Sequence, residues 1–241
     1  MNSKIRLYFS NDLSAGKVLK LGKKQSHYIK NVLRLLTGDK ISLFNSINGE
    51  WEAKIVSHGK DNSELYVEKQ ARAEESRKNL WLAFSIIKKI PQDMMLQKTT
   101  ELGVEKFFPI LCERTVVREL NIERSKKILI EASEQSNRII VPEIFKLKKL
   151  KDFIKTFPEN GKIIFCDINS NLKSLKNIEQ KNPVCILIGP EGDFSENERQ
   201  SLVDNKKVLS ISLGRNVLRA ETAAIAATSI LSYQLSFTGI R

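Results

Sequence analysis

The chain is poor in the residues that staple or metallate small proteins. Its three cysteines, Cys112, Cys166 and Cys185, are an odd number at wide spacings without a CxxC pair, which excludes a disulfide framework. Two of them sit inside apolar runs, and all three read as buried free thiols of a reducing compartment. The two histidines, His27 and His58, lie in different neighbourhoods, so no zinc ligand set forms and no metal is expected. No apolar run approaches the roughly 18 residues of a membrane span, and the opening MNSKIRLYFS holds no apolar stretch of signal-peptide length. The expectation is a soluble cytoplasmic protein that does not enter membranes. Neither GxxxxGK[ST] nor GxGxxG occurs, which disfavours phosphate-cradling nucleotide chemistry. Acid is in deficit too: 28 Asp and Glu stand against 40 Lys and Arg, for a net charge of +12 and a pI near 9.6.

That surplus favours an anionic macromolecule, nucleic acid first, through phosphate neutralisation and counterion release. The bland alternative is a solvated lysine-rich surface, and Lys146, Lys148, Lys149 and Lys151 read as one helix face of that kind. With 241 residues, 41% of them apolar, the chain can bury a core in one large domain or two modest ones.

The hydrophobic period changes along the chain. Up to about residue 70, short strand patterns at 6–9, 40–44, 51–56 and 64–67 alternate with the turns Thr37-Gly38-Asp39 and Asn48-Gly49, which argues for a small β-barrel or sheet. One helix interrupts it at 26–36, where Ile29, Val32, Leu33 and Leu36 recur at helical spacing. A charged stretch at 69–78, KQARAEESRK, reads as a linker, giving domains at 1–70 and 71–241. Beyond it, near-continuous apolar runs at 80–87, 107–111, 162–166, 184–188 and 208–213 imply strands buried on both faces, hence a mainly parallel α/β sheet. Helices are expected at 92–102, 121–137, 150–157, 195–204 and 220–235. Trp51 and Trp81 fall in strand patterns and read as core, not as stacking platforms.

Four segments carry chemistry. In VCILIGPEGDFSENE a buried strand enters Gly189-Pro190-Glu191-Gly192, and Ser195 with Glu198 then forms a capping box. A ligand belongs outside the carboxyl end of such a strand, where glycines let the backbone approach it. SISLGRNVLRAETAA repeats the pattern with a polar knot of Arg215, Asn216, Arg219, Glu221 and Thr222, in which Arg219 and Glu221 could equally be an ion pair capping the next helix. KTTELGV starts at Lys98. In EASEQSNR, Glu131, Gln135 and Arg138 share a helix face, as do Glu134 and Arg138, giving either a base- or phosphate-binding face or a solvated one.

Together these segments resemble the bacterial 16S ribosomal RNA uracil-N3 methyltransferases of the knotted SPOUT superfamily. Matching blocks are His27 with Val32-Leu33-Arg34, Lys98 through Val104, Glu134-Gln135-Ser136 with Arg138, Ile188 through Gly192 with Phe194-Ser195, and Leu213-Gly214 with Val217-Leu218-Arg219 and Glu221-Thr222-Ala223. Two positions depart: Asp193 stands where a second glycine is usual, and Asn216 where arginine is usual.

The resemblance implies an N-terminal PUA-like β-barrel for RNA and a C-terminal α/β domain whose last segment threads a trefoil knot. It also implies S-adenosylmethionine as methyl donor, held by Leu187, Gly189 and Gly192 in one turn and by Leu213, Gly214, Val217 and Leu218 in the other. Two copies would pair through the knot region. The substrate it implies is a uridine of 16S rRNA in the small ribosomal subunit, conventionally numbered 1498. The mechanistic hypothesis is that Arg219 stabilises the charge that develops on uracil while Glu134 and Arg138 orient the base; His27, Arg34 and Lys98 are the candidates to meet RNA, with a packed histidine and a solvated arginine as the alternative at His27 and Arg34. Two rival readings are a ribosome-assembly module that no longer methylates and a related knotted enzyme acting on a ribose hydroxyl.

Overall fold

A computed structural model of the chain describes residues 5–73, 75, 77–170 and 182–236. Two compact units emerge: Met1–Ser76 with Ser133–Val141, and Arg77–Ala132 with Pro142–Arg241. The division falls after residue 76, not 70, because the charged stretch expected as a linker is strand as far as Arg72. The return of 133–141 to the first unit has no counterpart in the sequence pattern.

The first unit is built on β1 (Arg6–Tyr8), β2 (Val18–Leu21), β3 (Lys40–Asn45), β4 (Gly49–His58) and β5 (Ser63–Arg72), in the sheet order β1-β3-β4-β5-β2. Alternation along these strands sends Leu7, Ile41, Leu43, Ala53, Ile55 and Leu65 into one apolar cluster. Register shifts between β4 and β5 bend the sheet around that cluster. The Asn48-Gly49 turn requires its glycine, because φ is +79° and a Cβ there would lie 2.4 Å from the Arg72 carbonyl oxygen.

The helix expected at 26–36 is instead α1 (Lys23–His27) running into a single π turn, Tyr28–Val32. The reason lies in the stripe: of its four apolar residues only Ile29 is fully buried, Val32 and Leu36 being exposed. Without packing to hold further turns the helix stops, and Arg34 takes a left-handed φ of 55°.

The second unit holds a seven-stranded sheet of β6 (Leu80–Ser85), β7 (Lys106–Leu111), β8 (Glu143–Ile144), β9 (Lys148–Lys149), β10 (Lys162–Cys166), β11 (Val184–Ile188) and β12 (Val208–Ile211). Its order is β12-β10-β11-β6-β7-β8, with β9 also on β7, and every pairing among the described residues is parallel. The helices are α2 (Lys89–Glu101), α3 (Ile122–Gln135), α4 (Leu150–Thr156), α5 (Glu196–Val203) and α6 (Ala220–Ser236).

Both faces of the sheet are covered, as the apolar runs require. Leu80, Leu82 and Phe84 pack with Met95 and Leu96 of α2 and with Ala227 and Leu231 of α6. On the other face Ala83, Cys185 and Leu187 meet Phe153 of α4 and Leu202 of α5. Each fully buried Leu or Phe contributes about 1.5–3 kcal/mol.

The lysine run is a correction: Lys148 and Lys149 form β9, and of the four only Lys151 lies in a helix. No helix among the described residues is long and apolar enough to cross a membrane. Trp81 packs in an aromatic cluster, 5.2 Å from Phe108 and 5.9 Å from Phe157 between ring centroids. Trp51, half-buried, donates its indole N–H to the Asn48 carbonyl at 2.8 Å.

Candidate functional site

A cavity of about 800 Å³ opens at the carboxyl ends of β6, β10, β11 and β12, all within the second unit. Its position follows from strand order. The chain proceeds from β6 to β7 on one side, while β11 and β10 lie on the other, and a crevice forms where such an order reverses.

The first wall is the turn after β11. Ser195 closes it with the expected capping box: the Glu198 N–H donates to Ser195 Oγ, and the Ser195 N–H donates to Glu198 Oε2, both at 3.2 Å. Phe194 is buried edge-on against Phe165, at 5.2 Å and 88°. Gly189 is required for that packing and not only for ligand approach, since a Cβ on it would sit 2.6 Å from the Phe194 ring. Gly189→Ala should therefore displace a buried ring and destabilise the second unit by about 1–3 kcal/mol. An unchanged melting temperature would show that the ring has room to move.

Asp193 accounts for its own departure from the family pattern. It adopts φ of 60°, and its Oδ1 accepts the Phe194 N–H at 2.7 Å, so this aspartate occupies a left-handed conformation of the kind that favours glycine.

The second wall follows β12. Gly214 has φ of +153° with open space where a Cβ would be, and Ser212 Oγ donates to its carbonyl oxygen at 2.9 Å. Val217 is 85% exposed on this wall. The Arg219 carbonyl accepts the Ala223 N–H at 2.8 Å, which ties the wall to the first turn of α6. Arg219 and Glu221 both line the cavity, and they form no ion pair, leaving the guanidinium at the surface of the site. Asn216 lines the same wall, so this chain presents an amide there.

Of the seven residues expected to hold the cofactor, Gly189, Leu213, Gly214, Val217 and Leu218 line the cavity. Leu187 does not: its side chain is fully buried in the core beneath the turn. Gly192 lies outside the lining as well. Its carbonyl accepts Arg114 Nη1 at 3.3 Å, and a Cβ there would make only ordinary contact with Arg114.

The remaining expected residues lie elsewhere. Glu134 and Arg138 belong to the first unit, whereas Arg219 belongs to the second. α3 ends at Gln135 and Asn137 turns left-handed at φ 62°, so Arg138 is past the helix and the shared face with Glu131 and Gln135 does not form. Glu134 Oε1 accepts the Tyr8 N–H at 2.9 Å, and the Arg138 carbonyl accepts Arg6 Nη2 at 2.7 Å. His27 bonds Asn31 at 2.7 Å beside a shallow crevice that also holds Lys23, Lys30 and Lys60. Arg34 is exposed, and Lys98 pairs with Glu101 at 2.9 Å.

Sequence reasoning missed Lys88, Ile90 and Met94 after β6 and Asp167 with Ile168 after β10, all on the cavity. They follow runs recognised as buried parallel strands, so the rule that ligands gather at carboxyl ends could have marked them. Cys166 also lines the cavity, but burial pushes its thiol up to about 12, which keeps it neutral and unreactive near pH 7. All three cysteines are free. Among the described residues no group of three or more His, Cys, Asp or Glu is placed to hold a metal.

Comparison with known proteins agrees with this architecture. A family model described as an RNA methyltransferase domain matches residues 74–232, and one described as an RNA methyltransferase PUA domain matches residues 21–66. Over 228 residues the chain is 35% identical to the ribosomal RNA small subunit methyltransferase E of Rickettsia conorii, with 92% of each chain covered. Its structure is similar to that of the ribosomal RNA small subunit methyltransferase E of Neisseria gonorrhoeae bound to S-adenosyl methionine, with a TM-score of 0.89 and 29% identity over 98% of this chain and 100% of that one. A methyltransferase of Legionella pneumophila in complex with the bound cofactor SAM gives a TM-score of 0.86 at 30% identity, covering 96% of this chain and 98% of that one.

Proposed function

Since the chain belongs to the RNA methyltransferase family and carries that family's PUA domain, we propose that it transfers a methyl group from S-adenosylmethionine to N3 of a uridine in small-subunit ribosomal RNA, the uridine 1498 of the resemblance. The observation that carries the reading is the cavity made from two strand-end turns, Gly189 to Glu191 and Leu213 to Leu218, with Arg219 on its wall.

The residues present fit the methyl donor. A volume near 800 Å³ is within the usual range for small-molecule sites, roughly 300–1,000 Å³. Ile90, Met94, Ile168 and Val217 line it with exposed apolar side chains able to cover an adenine ring. The backbone of the glycine turns offers N–H and C=O groups to the ring edge. Bound there, S-adenosylmethionine supplies an electrophilic methyl group on a sulfonium.

The protein's part is positioning and electrostatics. Uracil N3 is a weak nucleophile until its proton leaves, and Arg219 stabilises the anionic ring that results. The same reading includes trefoil threading of the last segment and pairing of two copies through it. Ile230 and Tyr233, 45% and 69% exposed on α6, support a partner surface there.

The experiment is transfer of labelled methyl to small subunits from a strain lacking this protein, followed by nucleoside analysis. N3-methyluridine is expected. A labelled 2′-O-methyl nucleoside would replace the base with a ribose hydroxyl as target, and absence of label on subunits and on free rRNA would overturn the reading.

A further inference from the structure

We infer that Asp167 recognises the ribose of the methyl donor, accepting hydrogen bonds from its 2′ and 3′ hydroxyls. The inference rests on the cofactor reading of the cavity and goes beyond it, because Asp167 lies outside both turns.

Asp167 directly follows β10 and lines the cavity. Its backbone is fixed on both sides: its N–H donates to the Ile211 carbonyl at 2.9 Å, and its carbonyl accepts the Ser170 N–H at 3.1 Å. Its carboxylate is fixed as well. Oδ1 accepts the Asn169 N–H at 2.9 Å, and Oδ2 accepts Arg199 Nη2 at 2.9 Å.

The side chain is only 5% exposed, whereas Glu191 and Asp193 on the same cavity are exposed and Glu221 is half-exposed. A buried carboxylate is costly unless it is paired and hydrogen-bonded. Here the pairing comes from behind, since Arg199 reaches in from α5 and is not part of the cavity lining. The order is therefore cavity, carboxylate, guanidinium.

That order selects the ligand group. An ionised carboxylate has about four lone-pair sites. Two are occupied by Asn169 and Arg199, leaving about two, the number a vicinal diol fills. Its charge is already balanced by Arg199, so its partner is a neutral donor and not the donor's amino-acid ammonium. A carboxylate at a strand's carboxyl end reading ribose hydroxyls is also sound chemistry in other parallel α/β sheets.

Calorimetry on the full chain tests this with S-adenosylhomocysteine, its 2′-deoxy and 3′-deoxy forms, and 5′-methylthioadenosine, which lacks the amino-acid end. Hydrogen bonds to a charged group predict that the wild-type protein binds at least one deoxy form about 10- to 100-fold more weakly than S-adenosylhomocysteine. Asp167→Asn should weaken S-adenosylhomocysteine and 5′-methylthioadenosine by similar factors and erase the discrimination between hydroxy and deoxy forms. The wild-type series stands alone if the variant fails to fold. Equal binding of all three ribose forms overturns the inference, as does an Asp167→Asn variant that loses only the ligand with the amino-acid end. No binding of S-adenosylhomocysteine to the wild-type protein overturns the cofactor reading itself, and the inference with it.

Discussion

Arg219→Ala is expected to slow methyl transfer about 10²- to 10³-fold at saturating cofactor, the loss typical of removing one group that stabilises developing charge, while cofactor affinity stays within about threefold. The separation between rate and affinity is the point of the test. Arg219 precedes α6, and its contribution to the fold is its carbonyl, which accepts the Ala223 N–H; alanine keeps that bond. The guanidinium has no ion pair with Glu221 and lines the cavity, so its removal leaves no buried carboxylate stranded. On the proposed function, what it removes is a positive charge beside the base that loses its N3 proton. Raising the pH should restore part of the rate in the variant, because solvent then removes the proton more readily, and Arg219→Lys should fall between the two. A wild-type rate in Arg219→Ala would take the residue out of the mechanism, and a loss confined to cofactor affinity would make it a binding group only.

The parallel sheet and both glycine turns were legible because burial on two faces leaves continuous apolar runs, as in Val184 through Ile188, and because a strand-end glycine followed by a capping box marks a turn before any packing is known. The short strands were not legible. β8 and β9 are two residues each, and Lys148 and Lys149 carry no apolar period, so only pairing with β7 makes them strand. α1 failed for the opposite reason: its helical period is present, but tertiary packing buries one residue of the stripe, and propensity without packing does not sustain a helix. The burial of the Leu187 side chain in the core was not legible, because a strand's residues alternate between its two faces and sequence does not say which parity faces the cavity. Asp167 was missed because one acidic residue after a strand carries no signal until Arg199, 32 positions later, is seen paired to it. The membership of 133–141 in the first unit is likewise a long-range fact, made by the side chains of Arg6 and Arg72, which donate to the carbonyls of Ser133 and Asn137.

Those long-range bonds set the second large effect: Glu50→Ala is expected to destabilise the first unit by about 3–5 kcal/mol at pH 7, the cost of stranding a buried charge. Glu50 is 5% exposed on β4, where Oε2 accepts Arg6 Nε at 3.2 Å and Arg72 Nε at 2.9 Å. The Arg6 side chain is only 7% exposed and lies 4.2 Å over the Phe44 ring. It donates in turn to the carbonyls of Ser133 at 2.9 Å, Glu134 at 3.0 Å and Arg138 at 2.7 Å. Removing the carboxylate therefore leaves a buried cation and loosens the segment that bears Glu134 and Arg138. Burial pushes the Glu50 carboxyl up, but hydrogen bonds from Arg72 and Arg6 outweigh it and hold the group below the usual 4.5. A depressed folded-state value means the stabilisation is full above about pH 4.5 and is lost as the pH falls through the lower folded value. Glu50→Gln should accordingly remove that acid-dependent component as well as stability at neutral pH. The two tryptophans fall one in each unit, so Trp81→Phe leaves Trp51 as the reporter for the first. Denaturant titration of its fluorescence would then read the loss directly, and a loss below about 1 kcal/mol would show that Arg6 finds other acceptors. Replacing both partners, Arg6→Met with Glu50→Leu, should recover much of the loss if the cost is the uncompensated charge. Recovery of stability without recovery of methylation would then assign the three carbonyl bonds of Arg6 to holding residues 133–138 in their working arrangement.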